Sequence, residues 1–228
     1  MWTLDDLKTD RDTQITAICI GFFLIAFPLY FSVAASGVDG AAGMGGVRDY
    51  EVSGELTYVE LASGGEYIAD GTTLEIEDLH TDAIDGADDM NIVGVRLTMS
   101  YGEDETGRAA PCFSQTAPDT ITGTAMHAGF NASSSGQNSG ASHATTVEWY
   151  NSSLTGVVSG MSETEIIAEI DSMGAGLGMY EASISVSAEG DSCTVPAQAD
   201  NEDNGEDVSY VVELIVFDYT IAPFIELS

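Results

Sequence analysis

Positive charge is what this sequence has least of. Its 228 residues carry 5 Lys and Arg side chains against 38 Asp and Glu, a formal net charge of −33. A phosphate backbone needs clustered cations, so this shortage excludes nucleic-acid binding. Anionic lipid surfaces are disfavoured for the same reason. Lysine occurs once (Lys8), and the acids are spread along the chain rather than gathered in a tail. That distribution reads as a surface adapted to concentrated salt, where screening tolerates self-repulsion. The apolar share of 44% is ordinary, so the acidity does not mark a disordered chain.

Reactive side chains are nearly as scarce, with three cysteines and three histidines. His80, His127 and His143 form neither HxH nor HExxH, and no cysteine–histidine spacing fits zinc. Serine is abundant, yet no G-x-S-x-G elbow occurs, since Gly136-Gln-Asn-Ser-Gly140 has the wrong spacing. Gly174-x-Gly-x-Gly178 lacks the rest of a dinucleotide fingerprint and reads as a helix stop. No paired carboxylates can be singled out among so many acids without geometry. Asp200-Asn-Glu202-Asp-Asn204-Gly205 resembles the first half of a calcium loop, but its twelfth position is Val211 instead of glutamate. A looser calcium site at Asp200, Glu202 and Asn204, or at Asp82, Asp85, Asp88 and Asp89, is the weaker alternative to solvated loops. The chain therefore reads as non-enzymatic, with no cofactor beyond that calcium alternative.

One long apolar run is present. Thr13 to Val38 contains no charge, and Ile15 to Ala35 is almost wholly apolar. Twenty-one residues at about 1.5 Å each give a helix of roughly 31 Å, the thickness of a bilayer core. We read residues 1–12 as a cytoplasmic tail, 13–35 as a transmembrane signal anchor, 36–46 as a Gly/Ala-rich spacer, and 47–228 as an extracellular domain. A cleaved signal, with Val33 and Ala35 ahead of a cut at Ser36, is the main rival. A pilin-type leader fits poorly, because residues 1–16 contain neither Gly nor Ala. Lys8 and Arg11 before the helix, with only Arg48 shortly after it, favour the N-terminus inside. Two sequons, Asn131-Ala-Ser133 and Asn151-Ser-Ser153, agree with an outward domain. So does the pair Cys112 and Cys193, which we expect to form a disulfide outside the cell.

Beyond the spacer the apolar period becomes two. Val93, Val95, Leu97, Met99 and Tyr101 share one face of a strand over 91–101, and Tyr180, Ala182, Ile184 and Val186 do so over 179–188. Tyr50 to Leu61 alternates and then slips at Val59, which predicts a bulge. Thr72–Leu79, Thr120–Phe130 and Thr145–Tyr150 are shorter strands. Val208 to Ile221 is apolar on both faces and predicts a long central strand. A capping box at Ser162-Glu-Thr-Glu165 starts one helix, with Ile166, Ile167, Ile170 and Met173 on its apolar flank and glycines 174, 176 and 178 closing it. Trp149 is a natural core anchor. About seven strands and one crossover helix imply an all-β, immunoglobulin-like antiparallel sandwich. The spacing of true immunoglobulin domains is absent: the cysteines are 81 residues apart, and no tyrosine stands two before Cys193.

Together these features predict a single-pass, salt-adapted surface protein of an archaeon-like organism, with a binding, adhesion or envelope-structural role. Two alternatives stay open. One is an accessory subunit of a membrane complex, docking through the last strand and Ile221–Ile225. The other is a surface filament in which strand 47–61 completes a neighbour's sheet, making the partner a second copy. Arg96, on the polar face of its strand, is expected to pair with an acid across the sheet.

Overall fold

The computed structural model describes residues 22, 23, 25–27, 46–102, 119–137, 141–188 and 204–225. The chain is mostly strand, in two antiparallel sheets. The strands are β1 (Arg48–Ala69), β2 (Thr73–Ile76), β3 (Ile92–Tyr101), β4 (Thr120–His127), β5 (Phe130–Gly136), β6 (Ser142–Glu148), β7 (Gly156–Met161), β8 (Glu181–Ser187) and β9 (Gly205–Pro223). Helix α1 (Glu163–Ile170) joins β7 to β8 and so crosses from one sheet to the other. The first sheet has the order β6-β3-β9-β1-β7 and the second β2-β8-β4-β5.

The long last strand takes the central place predicted for it. β9 pairs with β3 on one side and with β1 on the other, from Tyr50↔Pro223 to Ala69↔Gly205. Its two apolar faces serve different layers. Val208, Val212, Leu214 and Val216 face the second sheet in the main core, with Leu97, Met99, Ile121 and Ile184. Ile215 and Phe217 face the other way, onto Ile166 and Ile170 of α1 together with Tyr50, Val52, Val93 and Val158. Of the three helix isoleucines, Ile166 and Ile170 are fully buried there, each worth roughly 1.5–3 kcal/mol of apolar transfer, and Ile167 is half-buried. The expected bulge exists but falls two residues later: the β1–β9 register shifts between Glu60 and Ala62.

Several expectations need amendment. Nine strands are present among the described residues instead of about seven, because β5 and β7 were not foreseen. β5 was hidden in the Ser/Gly-rich stretch after Phe130; a two-residue turn, Ala128-Gly129, with φ of 47° and 92°, folds it back onto β4. The capping box is present, with the Ser162 hydroxyl accepting from the Glu165 N–H and the Glu165 carboxylate accepting from the Ser162 N–H. The helix stops at Ile170, however, before the glycines. Asp171 adopts an extended backbone there, its Oδ1 accepting the Met173 N–H and its Oδ2 the Tyr219 hydroxyl. Met173 is accordingly exposed in a left-handed conformation, not on the buried flank. The glycines shape the loop that follows. A Cβ on Gly176 would lie 2.5 Å from the Ile92 carbonyl oxygen, so only glycine lets this loop close on β3.

Residues 22, 23 and 25–27 are helical, and no helix among the described residues is long and apolar enough to cross a membrane. The rest of the predicted anchor 13–35, the tail 1–12 and most of the spacer lie outside the described residues.

The Tyr219–Asp171 contact gives a test of how α1 is held. Burial, and then the hydrogen bond to Asp171, push the Tyr219 phenol up from 10.0 to about 12. A raised phenol stabilises the fold below the unfolded value and stops doing so as pH climbs between the two. Tyr219→Phe should cost about 1 kcal/mol at neutral pH. The gap in melting temperature between the two proteins should narrow from about pH 10 upward; a gap constant to pH 11 would contradict the contact.

Candidate functional site

Most chemistry-bearing side chains that the structure describes are committed to the fold. His127 is the clearest case. It ends β4, is 5% exposed, and stacks on Tyr180 at 4.0 Å with Trp149 at 5.1 Å. Its Nε2 lies 2.7 Å from the Ala175 carbonyl and its Nδ1 3.0 Å from the Met179 carbonyl. Both partners only accept, so a neutral ring can serve one of them and a doubly protonated ring both. His127 is thus a buried tie between β4 and the 175–179 loop. Burial against the same rings raises the Tyr180 phenol, whose hydroxyl donates to the Gly176 carbonyl at 2.6 Å. Trp149 is only partly buried; its Nε1 donates to the Ile92 carbonyl.

Asn91 is a second tie that the sequence did not mark. Its Nδ2 donates to the carbonyls of Ile170 and Phe217, and its Oδ1 accepts the Ser172 N–H. One carboxamide therefore fastens the end of α1 to β9.

Arg96 pairs across the sheet as expected, with one addition. Arg96 donates through Nε and Nη2 to Oε2 of Glu213, its neighbour on β9, at 3.0 and 2.7 Å. Its guanidinium also lies 3.7 Å above the Tyr58 ring. Arg48 covers Tyr50 in the same manner at 5.0 Å. In a chain with so few cations, both described arginines are spent on aromatic rings.

Among the described residues the calcium candidates do not converge. Asp82 belongs to a short 3-10 turn, Thr81–Ala83, and its N–H is capped by His80 Nδ1. Asp85 is an exposed loop residue, and Asn204 precedes β9, its carbonyl accepting from the Asp70 N–H. Among the described residues, no three His, Cys, Asp or Glu side chains are grouped to hold a metal. Asp200, Glu202, Cys112 and Cys193 lie outside the described residues. A cleft of about 430 Å³ between Glu75–His80 and Met179–Ala182 is lined by acids and His80, with no group of ligands closing on it.

What remains free is a surface. The outward side chains of the second sheet are almost all hydroxyls. Thr73, Ser185, Thr122 and Ser135 form one row across β2-β8-β4-β5, and Glu75, Ser183, Thr124 and Ser133 the next. Ser187 and Thr120 lie beyond one end, and Glu181, Met126 and Asn131 beyond the other. Strands spaced roughly 4.8 Å apart, with like-facing residues roughly 6.8 Å apart along each, make this a regular hydroxyl lattice. Thr122 bonds Ser135 at 2.8 Å and Thr124 donates to Ser133 at 3.2 Å, so the lattice is partly self-satisfied. Glu75 and Glu181 are its only acids, both at the margin. The sequence displayed Ser183, Ser185 and Ser187 as one solvated face; the matching rows on β4 and β5 needed the pairing.

Two outcomes check these assignments. Replacing Arg96 and Glu213 singly and together by alanine should give a coupling of about 1 kcal/mol by denaturant melts, since the pair is half-buried. His127→Phe keeps the ring stack but removes the ring N–H from the Ala175 and Met179 carbonyls, so it should cost about 2 kcal/mol; an unchanged melt would show that His127 holds neither. No family model matches this chain, and no curated protein matches it.

Proposed function

We propose that this chain is a membrane-anchored, salt-adapted surface protein whose immunoglobulin-like sandwich binds a partner, adheres to a surface or builds the envelope, without catalysis. The hydroxyl face of the second sheet carries this reading. On a molecule of charge −33, a flat area with acids only at its margin is where another surface can approach with least repulsion. The chain order supports the anchored arrangement. β1 begins at Arg48, just after the predicted spacer, at the end of the β1–β9 ribbon that pairs with β7 and lies beyond the stretch joined to β3.

A second reading, an accessory subunit of a membrane complex, has its own observation. Val47, Phe224 and Ile225 are exposed apolar side chains at the ribbon tip, where the Phe224 N–H donates to the Asp49 carbonyl. Apolar groups at that place would suit a contact with a neighbouring subunit. The filament reading draws less support, because strand 47–61 already pairs with β9 of its own chain.

Mild detergent extraction of a C-terminally tagged chain from native membranes at high salt tests both readings. We expect membrane association, an N-terminus at Met1 or Trp2, and no stoichiometric partner. A stoichiometric partner would transfer the assignment to the complex subunit. Recovery in the soluble fraction, cut near Ala35, would remove the anchor.

A further inference from the structure

The geometry points to Asn131 as the chain's N-glycan acceptor, and to Asn151, in the same sequence motif, as a structural cap instead. The inference rests on the outward orientation proposed above. Both motifs are Asn-x-Ser, so the sequence alone treats them as equals.

Asn131 lies on β5, the edge strand of the second sheet, opposite Met126. It is exposed, and among the described residues its carboxamide makes no hydrogen bond. Ser133, two residues on, projects from the same exposed face. It accepts a hydrogen bond from Thr124, which leaves its own hydroxyl proton available. A transferase can therefore reach the amide nitrogen and the serine hydroxyl together without unfolding the sheet. In the transfer, Asn131 Nδ2 bonds to C1 of a lipid-phosphate-linked oligosaccharide. The C1–O bond breaks, the lipid phosphate leaves with its electron pair, and Nδ2 gives up one proton to the transferase.

Asn151 is occupied. Its Oδ1 accepts both the N–H and the hydroxyl of Ser153, at 3.3 and 2.6 Å, and caps the turn Ser152–Leu154. Its Nδ2 donates to Glu169 Oε2, and its backbone N–H to the Glu169 carbonyl. The amide nitrogen that a transferase would use is spent on Glu169 of α1, and the serine proton beside it is spent on Asn151 Oδ1 within the loop. A glycan on Asn131 would stand at the margin of the hydroxyl lattice and screen its Met126 side.

The test uses the full chain from its native membranes, with glycopeptide mass spectrometry. We expect a glycan on the Asn131 peptide, lost in Asn131→Gln and in Ser133→Ala and kept in Ser133→Thr. Asn151→Ala should keep the full glycan mass while melting about 3 °C lower, as expected for a lost cap. A membrane-impermeant thiol reagent on intact cells reports orientation separately, as the labelling that a Thr73→Cys variant gains over the unaltered chain. Gained labelling with a bare Asn131, or with a glycan on Asn151 in its place, overturns this inference alone. No gain in labelling overturns the outward reading and this inference with it.

Discussion

The pairing of β1 with β9 is the constraint on which the rest depends. These strands, 22 and 19 residues long, run together from Tyr50↔Pro223 to Ala69↔Gly205. They join the beginning of the domain to its end, so the whole intervening chain is a closed loop. Every other element is built on that ribbon. β3 and β6 extend the sheet beyond β9, and the second sheet covers one face. β7 extends the first sheet on the other side, beyond β1, and α1 covers the opposite face where the ribbon outruns the sandwich. Closing so long a loop is entropically costly, and the dense registered pairing offsets it. Slow, non-local folding is the corollary.

Charge sets the second constraint. Among the described acids only Asp119 and Glu206 are buried. Most of the others stand in solvent, where their mutual repulsion opposes the compact state in dilute buffer. The polar ties inside the domain are accordingly neutral or self-contained: the Asn91 carboxamide, the His127 ring between two carbonyls, and the Tyr219 hydroxyl on Asp171. The Arg96–Glu213 pair lies on the outer face of the first sheet, with Tyr58 stacked over the guanidinium.

Sequence patterning revealed the parts of the fold that obey one rule at a time. β3 and β8 bury one face each, so strict alternation exposed them. β9 buries both, and its continuous apolar run revealed a central strand without showing that two separate layers do the burying. β5 escaped because Asn-Ala-Ser-Ser-Ser-Gly has little strand propensity. It is a strand through its turn and its register with β4, neither of which a one-dimensional pattern carries. The helix end escaped for a related reason. Glycines are the usual stop, but Asp171 is claimed earlier by Tyr219, a residue 48 positions away. The hydroxyl lattice was visible in the sequence only on β8, and became a surface once β4 and β5 were laid beside it.

In the salt-adapted binding role proposed above, that lattice also bears on how recognition can work. At about 1 M ionic strength the Debye length is roughly 3 Å, so the many acids neither steer nor repel beyond contact distance. Long-range complementarity, which sets association rates at low salt, then has little influence. Selection falls to groups that act at contact: hydroxyl donors and acceptors at fixed spacing. An array of short side chains on a rigid sheet suits those conditions, since little rotamer freedom is lost when it is covered. The same reasoning explains why long charged side chains are kept off this face. Burying one without a partner would cost more than any screened attraction returns.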